Sequence, residues 1–297
     1  MPVIGPFGPS VDAGPRVPSS GQPPSRGTAS PMTGPDLRVI APEDDRYNAT
    51  LVARSDETES LGYFTIKFDG PAVPFESGQY MTIGVIADGR LVQRPYSVAS
   101  DPGVAESEGY ELYIRLVNGG QFTPLLWQLP LGHRMRMIGP KGKFTLLPDD
   151  DRTHLFISSG TGNAPFVSMM RRLAREGHPR RAVFLNGVSY QHELGYRSLV
   201  EGWAASGSYP VTYVPTVSRR TAPENEGWNG RWGRVESIVA PVCDELGLTP
   251  ANTIVYICGN PDMILSAEET LLGRGFPEDQ VKTELYWPKG KEPRGGE

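Results

Sequence analysis

Cysteine is scarce in this chain of 297 residues, which contains only Cys243 and Cys258. Two cysteines cannot build a disulfide scaffold, nor a four-thiolate zinc or iron-sulfur centre. We therefore expect no metal site, and a reducing cytoplasm is the simplest expected location.

Long hydrophobic runs and excess positive charge are also lacking. No stretch approaches the roughly 18 consecutive apolar residues of a membrane span, so we expect no integral membrane association. The formal net charge of -5 argues against a nucleic-acid binder driven by bulk charge. At about 150 residues per domain, the length predicts two domains.

Three regions differ in composition. Residues 1–36 are rich in proline and glycine without apolar periodicity, which predicts a disordered tail. Residues 37–148 contain short alternating segments separated by Gly, Pro and Asp, which predict an antiparallel β-barrel. The expected strands are 50–54, 63–68, 79–86, 96–100, 110–117 and 134–138, with one short helix at 122–129.

Residues 149–297 have a different pattern, in which apolar runs alternate with helical stretches. This alternation predicts a parallel sheet covered on both faces, as in α/β nucleotide-binding domains. The expected strands are 155–159, 182–188, 211–217, 253–259 and 281–286.

A glycine-rich turn follows the first strand of the second domain and precedes a predicted helix at 166–175. Its residues are Gly160, Thr161, Gly162, Asn163, Ala164 and Pro165. Glycine lets the backbone approach a phosphate, and a helix N-terminus presents free N–H donors to an anion. The turn therefore predicts a pyrophosphate site, although a strand-to-helix turn that merely needs glycine has the same pattern.

The ends of the next two strands bear on the choice of dinucleotide. No Asp or Glu closes the second strand to accept a ribose hydroxyl, because Val188 and Ser189 stand there. The third strand is followed by Ser218, Arg219 and Arg220, which could clamp a 2′-phosphate. The sequence thus favours NADP over NAD. NAD stays possible, since a solvated arginine pair is common in loops.

The barrel region contains Arg94, Pro95, Tyr96 and Ser97 in succession. Together these residues offer a charge for phosphate, an aromatic face for stacking and a hydroxyl for a ring nitrogen, the three needs of a flavin nucleotide. A polar strand end would show the same string.

Five motifs occur in order along the chain: RPYS at 94–97, GPKGKF at 139–144, GTGNAP at 160–165, CGNPDM at 258–263 and ELY at 284–286. Together they resemble the ferredoxin-NADP reductase superfamily of flavoproteins over about residues 40–287. The resemblance implies an FAD-binding barrel followed by an NADP-binding α/β domain, with hydride passing between the two cofactors.

The resemblance also assigns roles in the barrel. Arg94 would contact the FAD pyrophosphate, Tyr96 would stack on the isoalloxazine, and Ser97 would bond near N5. Tyr113, Ile114 and Arg115 would flank the adenine or phosphate half. Pyrophosphate would be bound at the start of the short helix by Gly120, Gln121, Phe122 and Thr123. A plain β-strand at 113–115 and a plain turn at 120–123 would explain these two sets of residues equally well.

In the second domain, Thr161 would lie where nicotinamide meets flavin. Cys258 ends a parallel strand, at the edge where ligands bind in such sheets. The resemblance places it against the nicotinamide, with Gly259, Asn260, Pro261 and Met263 nearby.

Glu284 and Tyr286 resemble a C-terminal Glu-x-Tyr motif whose aromatic covers the flavin. Trp287 and ten further residues follow, so the stacking residue is either Tyr286 or Trp287. Ser97, Cys258 and Glu284 are the expected catalytic residues.

Between Leu112 and Pro148 the chain has five basic residues and no acid, namely Arg115, Arg134, Arg136, Lys141 and Lys143. Such a patch would steer an acidic electron carrier, a ferredoxin or flavodoxin, towards the flavin. FAD phosphates or solvated strand faces would explain the same charges.

Two further functions of the protein stay open: an NADH-dependent reductase component of an oxygenase, and a non-catalytic flavin-binding redox sensor.

Overall fold

The computed structural model describes residues 38–148 and 150–285. The predicted tail at 1–36, together with Tyr286 and Trp287, lies outside the described residues. Two six-stranded sheets follow one another along the chain, the first antiparallel and the second parallel. The last strand of the first sheet ends at Lys141 and the first strand of the second begins at Thr153, on either side of the expected boundary at 148/149.

The first sheet is a closed antiparallel barrel, as predicted. Its strands are β1 (Ala49–Thr58), β2 (Leu61–Phe68), β3 (Tyr80–Ala87), β4 (Arg90–Ser97), β5 (Tyr110–Arg115) and β6 (Arg134–Lys141). They are arranged in the order β4-β3-β6-β1-β2-β5. A bridge between Val98 and Leu112, continued by the Ala99 N–H donating to the Glu111 carbonyl at 2.8 Å, joins β4 to β5 and closes the ring.

Several expected boundaries in the barrel differ from the structure by a few residues, and two of these differences have a clear local cause. The fourth strand spans Arg90–Ser97 rather than 96–100, because Asp88 and Gly89, both with positive φ, form a tight hairpin turn after β3. The helix expected at 122–129 is α2 (Thr123–Leu126), since the hydrogen bonds beyond it shorten to a 3₁₀ pattern. A further one-turn helix, α1, covers Ala105–Glu108.

The second sheet is parallel, and helices connect its strands. The strands are β7 (Thr153–Ser159), β8 (Ala182–Val188), β9 (Val211–Val217), β10 (Arg231–Trp232), β11 (Thr253–Gly259) and β12 (Val281–Leu285). They are arranged in the order β10-β9-β8-β7-β11-β12, and the two-residue strand β10 was not expected from the sequence. The helices are α3 (Ala164–Arg175), α4 (Arg197–Ser206), α5 (Val235–Leu246) and α6 (Pro261–Gly273).

The strand order positions the site. The chain leaves β7 towards β8 on one side and later returns to β11 on the other side of β7. Crevices open at the carboxyl ends of strands where the order reverses in this way. The glycine-rich turn after β7 and Cys258 at the end of β11 therefore flank one crevice.

Helix α3 also joins the two sheets. Ser168 donates to the Ser100 carbonyl at 2.6 Å, and Arg171 pairs with Glu111 at 2.7 Å. These contacts hold the barrel against the second sheet. Among the described residues, no helix has the length and apolar character needed to cross a bilayer.

A buried histidine lies at the opposite end of β7. His154 is fully buried, packs against Phe156 and Tyr256, and has no hydrogen-bond partner for either ring nitrogen among the described residues. Burial, assisted by the positive charge of Arg180, lowers the pKa of His154 to about 4. The folded protein therefore holds this imidazole neutral.

This burial predicts loss of stability in mild acid. Between pH 6.5 and about 4 the unfolded chain binds a proton at His154 that the folded chain does not, so stability falls as pH decreases through that window. The full difference is about 3 kcal/mol in the free energy of unfolding. We expect His154→Phe to flatten the profile measured by urea denaturation at pH 7 and pH 4.5. His178→Gln, at an exposed histidine, serves as the control, and an unchanged profile in His154→Phe would refute the assignment.

Candidate functional site

A cleft of about 640 Å³ lies between the barrel and the carboxyl edge of the parallel sheet. Its size falls within the range of ligand sites in proteins. The barrel contributes Pro95, Tyr96, Ser97, Tyr113 and Arg115. The second domain contributes predicted residues at or after the ends of four strands, β7, β8, β9 and β11: Gly160, Thr161, Gly162, Ala164, Val188, Ser189, Ser218, Arg219, Cys258, Gly259, Asn260 and Met263. One cleft thus collects residues that the sequence assigned to two cofactors.

The glycine-rich turn leaves its backbone accessible to the cleft. Gly160 has φ +56, and a Cβ there would meet no atom of residues 38–148 or 150–285 within 4 Å, so these residues leave its backbone open. Gly162, in contrast, packs so closely that a Cβ would lie 2.3 Å from the Cys258 carbonyl oxygen. Helix α3 follows directly, and within the described part of the chain no side chain caps its N-terminus. These features fit a pyrophosphate at this turn.

The barrel side ends in Tyr96 and Ser97 on β4. Burial raises the pKa of Tyr96, so its hydroxyl stays protonated, and its ring centroid lies 6.0 Å from that of Phe122. Ser97 is 8% exposed and stands opposite Tyr80 of β3 in the strand register. An aromatic face and a hydroxyl at the cleft suit a flavin ring, and the flavin contacts expected of Tyr96 and Ser97 stay predictions.

Cys258 lines the same cleft from the other domain and is only 1% exposed. Burial, with the nearby Glu284 carboxylate, raises the pKa of its thiol well above the ordinary value. Cys258 and Glu284 are paired in the register of β11 and β12. A thiol held protonated in this way is suited to van der Waals contact rather than nucleophilic attack.

The structure separates the two arginines expected at a 2′-phosphate. Arg219 is exposed and lines the cleft beside Ser218, whereas Arg220 lies over the Trp232 ring, 5.7 Å from its centroid. Arg234, which the sequence analysis did not select, lines the same end of the cleft and is 76% exposed at its side chain.

Several predicted site residues lie outside the cleft lining. Ile114 and Phe122 belong to the barrel core, and Thr123 accepts a hydrogen bond from the Val117 N–H at 2.9 Å. Asn163 is fully buried and donates to the Gly195 carbonyl at 3.0 Å. The remaining residues outside the lining are Arg94, Gly120, Gln121, Pro165, Arg220, Pro261 and Glu284. Their cofactor contacts stay predictions.

The basic residues of the barrel do not form one patch. Arg134 pairs with Glu43 and Asp69, and Arg115 pairs with Glu193. Lys141 and Lys143 are exposed. Lys141 on β6 is paired with Tyr80 on β3, which is paired in turn with Ser97 on β4, so the three residues lie in line across neighbouring strands. Strands lie about 4.8 Å apart, which places the Lys141 backbone about 10 Å from that of Ser97.

Glu193 was also missed by the sequence analysis. It follows β8 by five residues and lines the cleft, and its carboxylate accepts from the backbone N–H groups of Ser189 and Tyr190 at 3.1 and 3.2 Å. The sequence analysis expected no acidic residue at the end of β8. This holds for the strand end itself, but the Glu193 carboxylate lies within hydrogen-bond distance of the two residues that follow β8. The sequence did contain a signal for this contact. A glutamate three residues after Tyr190 has the spacing of a capping box, in which the glutamate side chain accepts from the backbone N–H at the start of a helical turn.

Comparison with known proteins agrees with this arrangement. A model of the oxidoreductase FAD-binding domain matches residues 48–146, and one of the oxidoreductase NAD-binding domain matches residues 156–269. Fold and cleft together thus define a two-domain flavoprotein oxidoreductase. A ferredoxin-NADP reductase B of Sorangium cellulosum (strain So ce56) is 33% identical over 221 residues, which cover 73% of this chain and 88% of that protein. The chain belongs to the ferredoxin-NADP reductase family.

Two further similarities extend the comparison. The phenol hydroxylase P5 protein of Acinetobacter pittii (strain PHEA-2) is 31% identical over 242 residues, and the match spans 81% of this chain but only 65% of that protein. A solved ferredoxin NADP⁺ reductase from Neisseria gonorrhoeae with bound FAD and NADP shares the fold at a TM-score of 0.68 and 22% identity. That match covers 81% of this chain and 99% of the other. The protein is accordingly an oxidoreductase that binds FAD and a nicotinamide dinucleotide and exchanges electrons with a carrier.

Proposed function

We propose that this protein transfers hydride between NADP(H) and FAD in the cleft and exchanges single electrons with an acidic carrier protein. The observation that carries the proposal is the meeting of Ser97 with Thr161 and Cys258 in one cleft. Bound FAD would supply the conversion of one hydride into two single-electron transfers. The chain's own residues would orient the rings at about 3 to 3.5 Å.

Each residue has a limited task in this proposal. Tyr96 would present its ring to the flavin, and the Ser97 hydroxyl would donate a hydrogen bond to the ring nitrogen at which hydride arrives. Cys258 supports the nicotinamide by shape, since its buried thiol stays protonated. The open backbone at Gly160 accommodates the pyrophosphate. Anaerobic addition of NADPH tests the function, because bleaching of the flavin absorbance is expected and unbleached flavin would favour a redox sensor.

The preference for NADPH is proposed to come from Ser218, Arg219 and Arg234 at one end of the cleft. The 31% identity to a phenol hydroxylase component keeps an NADH-dependent oxygenase reductase as the second candidate. The ratio of kcat/KM for the two nucleotides distinguishes these functions.

Arg219→Ala should therefore reduce the preference for NADPH. A charge-assisted hydrogen bond to phosphate is worth about 1.5–3 kcal/mol, which corresponds to a decrease of about 10- to 100-fold in the NADPH/NADH ratio of kcat/KM. Arg181→Ala, at an exposed arginine before β8, is the control and should leave the ratio unchanged. Equal NADPH preference in wild type and Arg219→Ala would contradict the 2′-phosphate assignment.

The carrier is proposed to dock on Lys141 and Lys143, which are exposed near the Ser97 end of the barrel. We expect Lys141→Glu/Lys143→Glu to lower the rate of electron transfer to an acidic [2Fe–2S] ferredoxin at least tenfold at low ionic strength. The difference should shrink as salt screens the charges. Stopped-flow mixing with ferredoxin, from about 20 to 500 mM NaCl, measures both effects.

The control for this docking surface is Arg90→Glu, the same charge reversal at a single exposed position at the opposite end of β4, with half the total charge change of the double variant. Reduction of a small uncharged quinone by the lysine variant should proceed at the wild-type rate. A loss of quinone reduction, or an equal loss in Arg90→Glu, would contradict docking at the two lysines.

A further inference from the structure

The segment 191–196 after β8 forms much of the contact between the two domains. The Tyr113 hydroxyl of the barrel donates to the Glu193 carbonyl at 3.4 Å, and the Tyr196 N–H donates to the Tyr63 hydroxyl at 3.1 Å. Gly195 lies so near Tyr113 that a Cβ there would be 2.3 Å from the ring carbon Cζ. The backbone of this segment is therefore packed directly on the flavin-binding barrel.

Within the segment, one carboxylate bonds groups on both sides of the cleft. Oε1 of Glu193 accepts from Nη1 of Arg115 at 2.7 Å, while Oε2 accepts from the N–H groups of Ser189 and Tyr190. The Glu193 side chain is only 8% exposed. Water therefore competes weakly for these bonds, and the carboxylate holds both groups at fixed distances.

The partners of Glu193 belong to the two cofactor sites of the proposed function. Arg115 lies on the barrel strand expected to contact FAD phosphate, and its guanidinium has further N–H donors beyond the one that Glu193 uses. Ser189 lies at the end of β8 in the nucleotide half of the cleft. A single side chain thus spans the two halves.

Backbone strain points to the same segment. Tyr196 has φ +62, which non-glycine residues rarely adopt, and its side chain is buried against Tyr63 and Tyr113. Such a conformation persists only where surrounding contacts enforce it. The contacts with Tyr63 and Tyr113 therefore fix the backbone conformation of the segment at Tyr196.

We propose that Glu193 is a positioning residue that sets the spacing between the flavin and nicotinamide sites by bonding Arg115 and the Ser189 and Tyr190 amides at once. The inference rests on the proposed function. Hydride transfer is sensitive to this spacing, because a displacement of about 1 Å can cost a hundredfold in rate. Affinity for either cofactor alone depends much less on Glu193.

Glu193→Gln tests the proposal. A glutamine amide has one oxygen and one NH₂ group, so its NH₂ would face either the guanidinium or the backbone N–H groups, which are all donors. One of the two links must break. We expect the limiting rate of flavin reduction by NADPH to fall at least tenfold, with KM for NADPH within threefold of wild type.

Two measurements other than the rate of flavin reduction test the same proposal, namely FAD affinity and the spectral change caused by NADP⁺. Apoprotein carrying Glu193→Gln should bind FAD with wild-type affinity in a fluorescence titration. The difference spectrum produced when NADP⁺ is added to the oxidised holoprotein should lose most of its amplitude, because it reports contact between the two rings. Glu193→Asp keeps the charge but is one methylene shorter, so it should show the same rate loss and serves if Glu193→Gln does not fold.

Glu111→Gln is the matched control. Glu111 also forms an ion pair across the domain boundary, with Arg171 at 2.7 Å, but does not line the cofactor cleft. We expect it to lower the melting temperature while the rate of flavin reduction stays within twofold of wild type. Equal rate losses in both variants would show that only domain docking matters and would overturn the proposal.

A normal rate and normal difference spectrum in the Glu193 variants would likewise overturn it. Wild-type protein that NADPH fails to bleach would refute the proposed function, and this inference with it. Bleached wild type with unaffected Glu193 variants would refute the inference alone, so the two failures are distinguishable.

Discussion

Flavin reduction by NADPH in Ser97→Ala is expected to be about 10²- to 10³-fold slower than in wild type. This is the effect of removing one preorganised donor from a site that excludes water. Ser97 is 8% exposed, and it ends β4 at the edge of the cleft that Thr161 and Cys258 line from the other domain. The protein should still bind FAD, because the rest of the barrel is unchanged. Stopped-flow absorbance of the flavin band under anaerobic conditions measures the rate.

Ser100→Ala separates this catalytic effect from a structural one. The Ser100 hydroxyl lies three residues further on, donates to the Gly109 carbonyl at 3.0 Å and accepts from the Glu111 N–H. Its removal should lower stability by about 1–3 kcal/mol but leave the reduction rate near wild type. A Ser97→Ala rate within threefold of wild type would remove Ser97 from the catalytic residues.

The second large effect is expected at Gly162, where alanine should abolish detectable nucleotide binding and destabilise the fold. A Cβ at this position would lie 2.3 Å from the carbonyl oxygen and 2.6 Å from the carbonyl carbon of Cys258, and 2.7 Å from Cα of Gly259. All three are backbone atoms, so no side-chain rotation relieves the overlap. The ends of β7 and β11 must separate, which costs about 1–3 kcal/mol or more and opens the phosphate turn.

Gly202→Ala provides the comparison for Gly162→Ala. Gly202 lies in α4, and a Cβ there would meet no atom within 4 Å. Alanine should stabilise this helix by up to about 1 kcal/mol. Thermal melting and NADP⁺ titration of the holoprotein measure both variants. Normal NADP⁺ affinity in Gly162→Ala would show that the turn tolerates displacement and would contradict its assignment as the phosphate site.

Much of the fold followed from short-range patterns. Alternating residues between Gly, Pro and Asp predicted the barrel strands, and continuous apolar runs predicted the parallel strands, since each pattern reflects how many faces of a sheet are buried. The error at β4 has a local cause: the Asp88-Gly89 turn is a strong hairpin signal that places the strand earlier. Strand β10 has only two residues and no pattern to detect.

The candidate site was predictable only in part. Glycine and helix chemistry identified the turn at 160–165, because its requirements are local. The arginine pair at 219 and 220 was predicted as a unit, yet Arg219 lines the cleft and Arg220 packs on Trp232. That difference depends on where β10 places Trp232, which no spacing along the chain reveals.

The sequence by itself therefore determined the two domain types, the glycine-rich turn that we propose binds phosphate, and the resemblance to flavoprotein reductases. These features depend on backbone preferences and burial patterns that act over a few residues. Only the tertiary structure decided that Arg115 pairs with Glu193, 78 positions away. It also decided that Arg134 forms an ion pair with Asp69, whereas Lys141 is exposed and lies in line with Ser97 and Tyr80 across neighbouring strands. Such pairings arise when two independently folded surfaces meet, and the direction of each side chain there depends on the packing of the whole molecule.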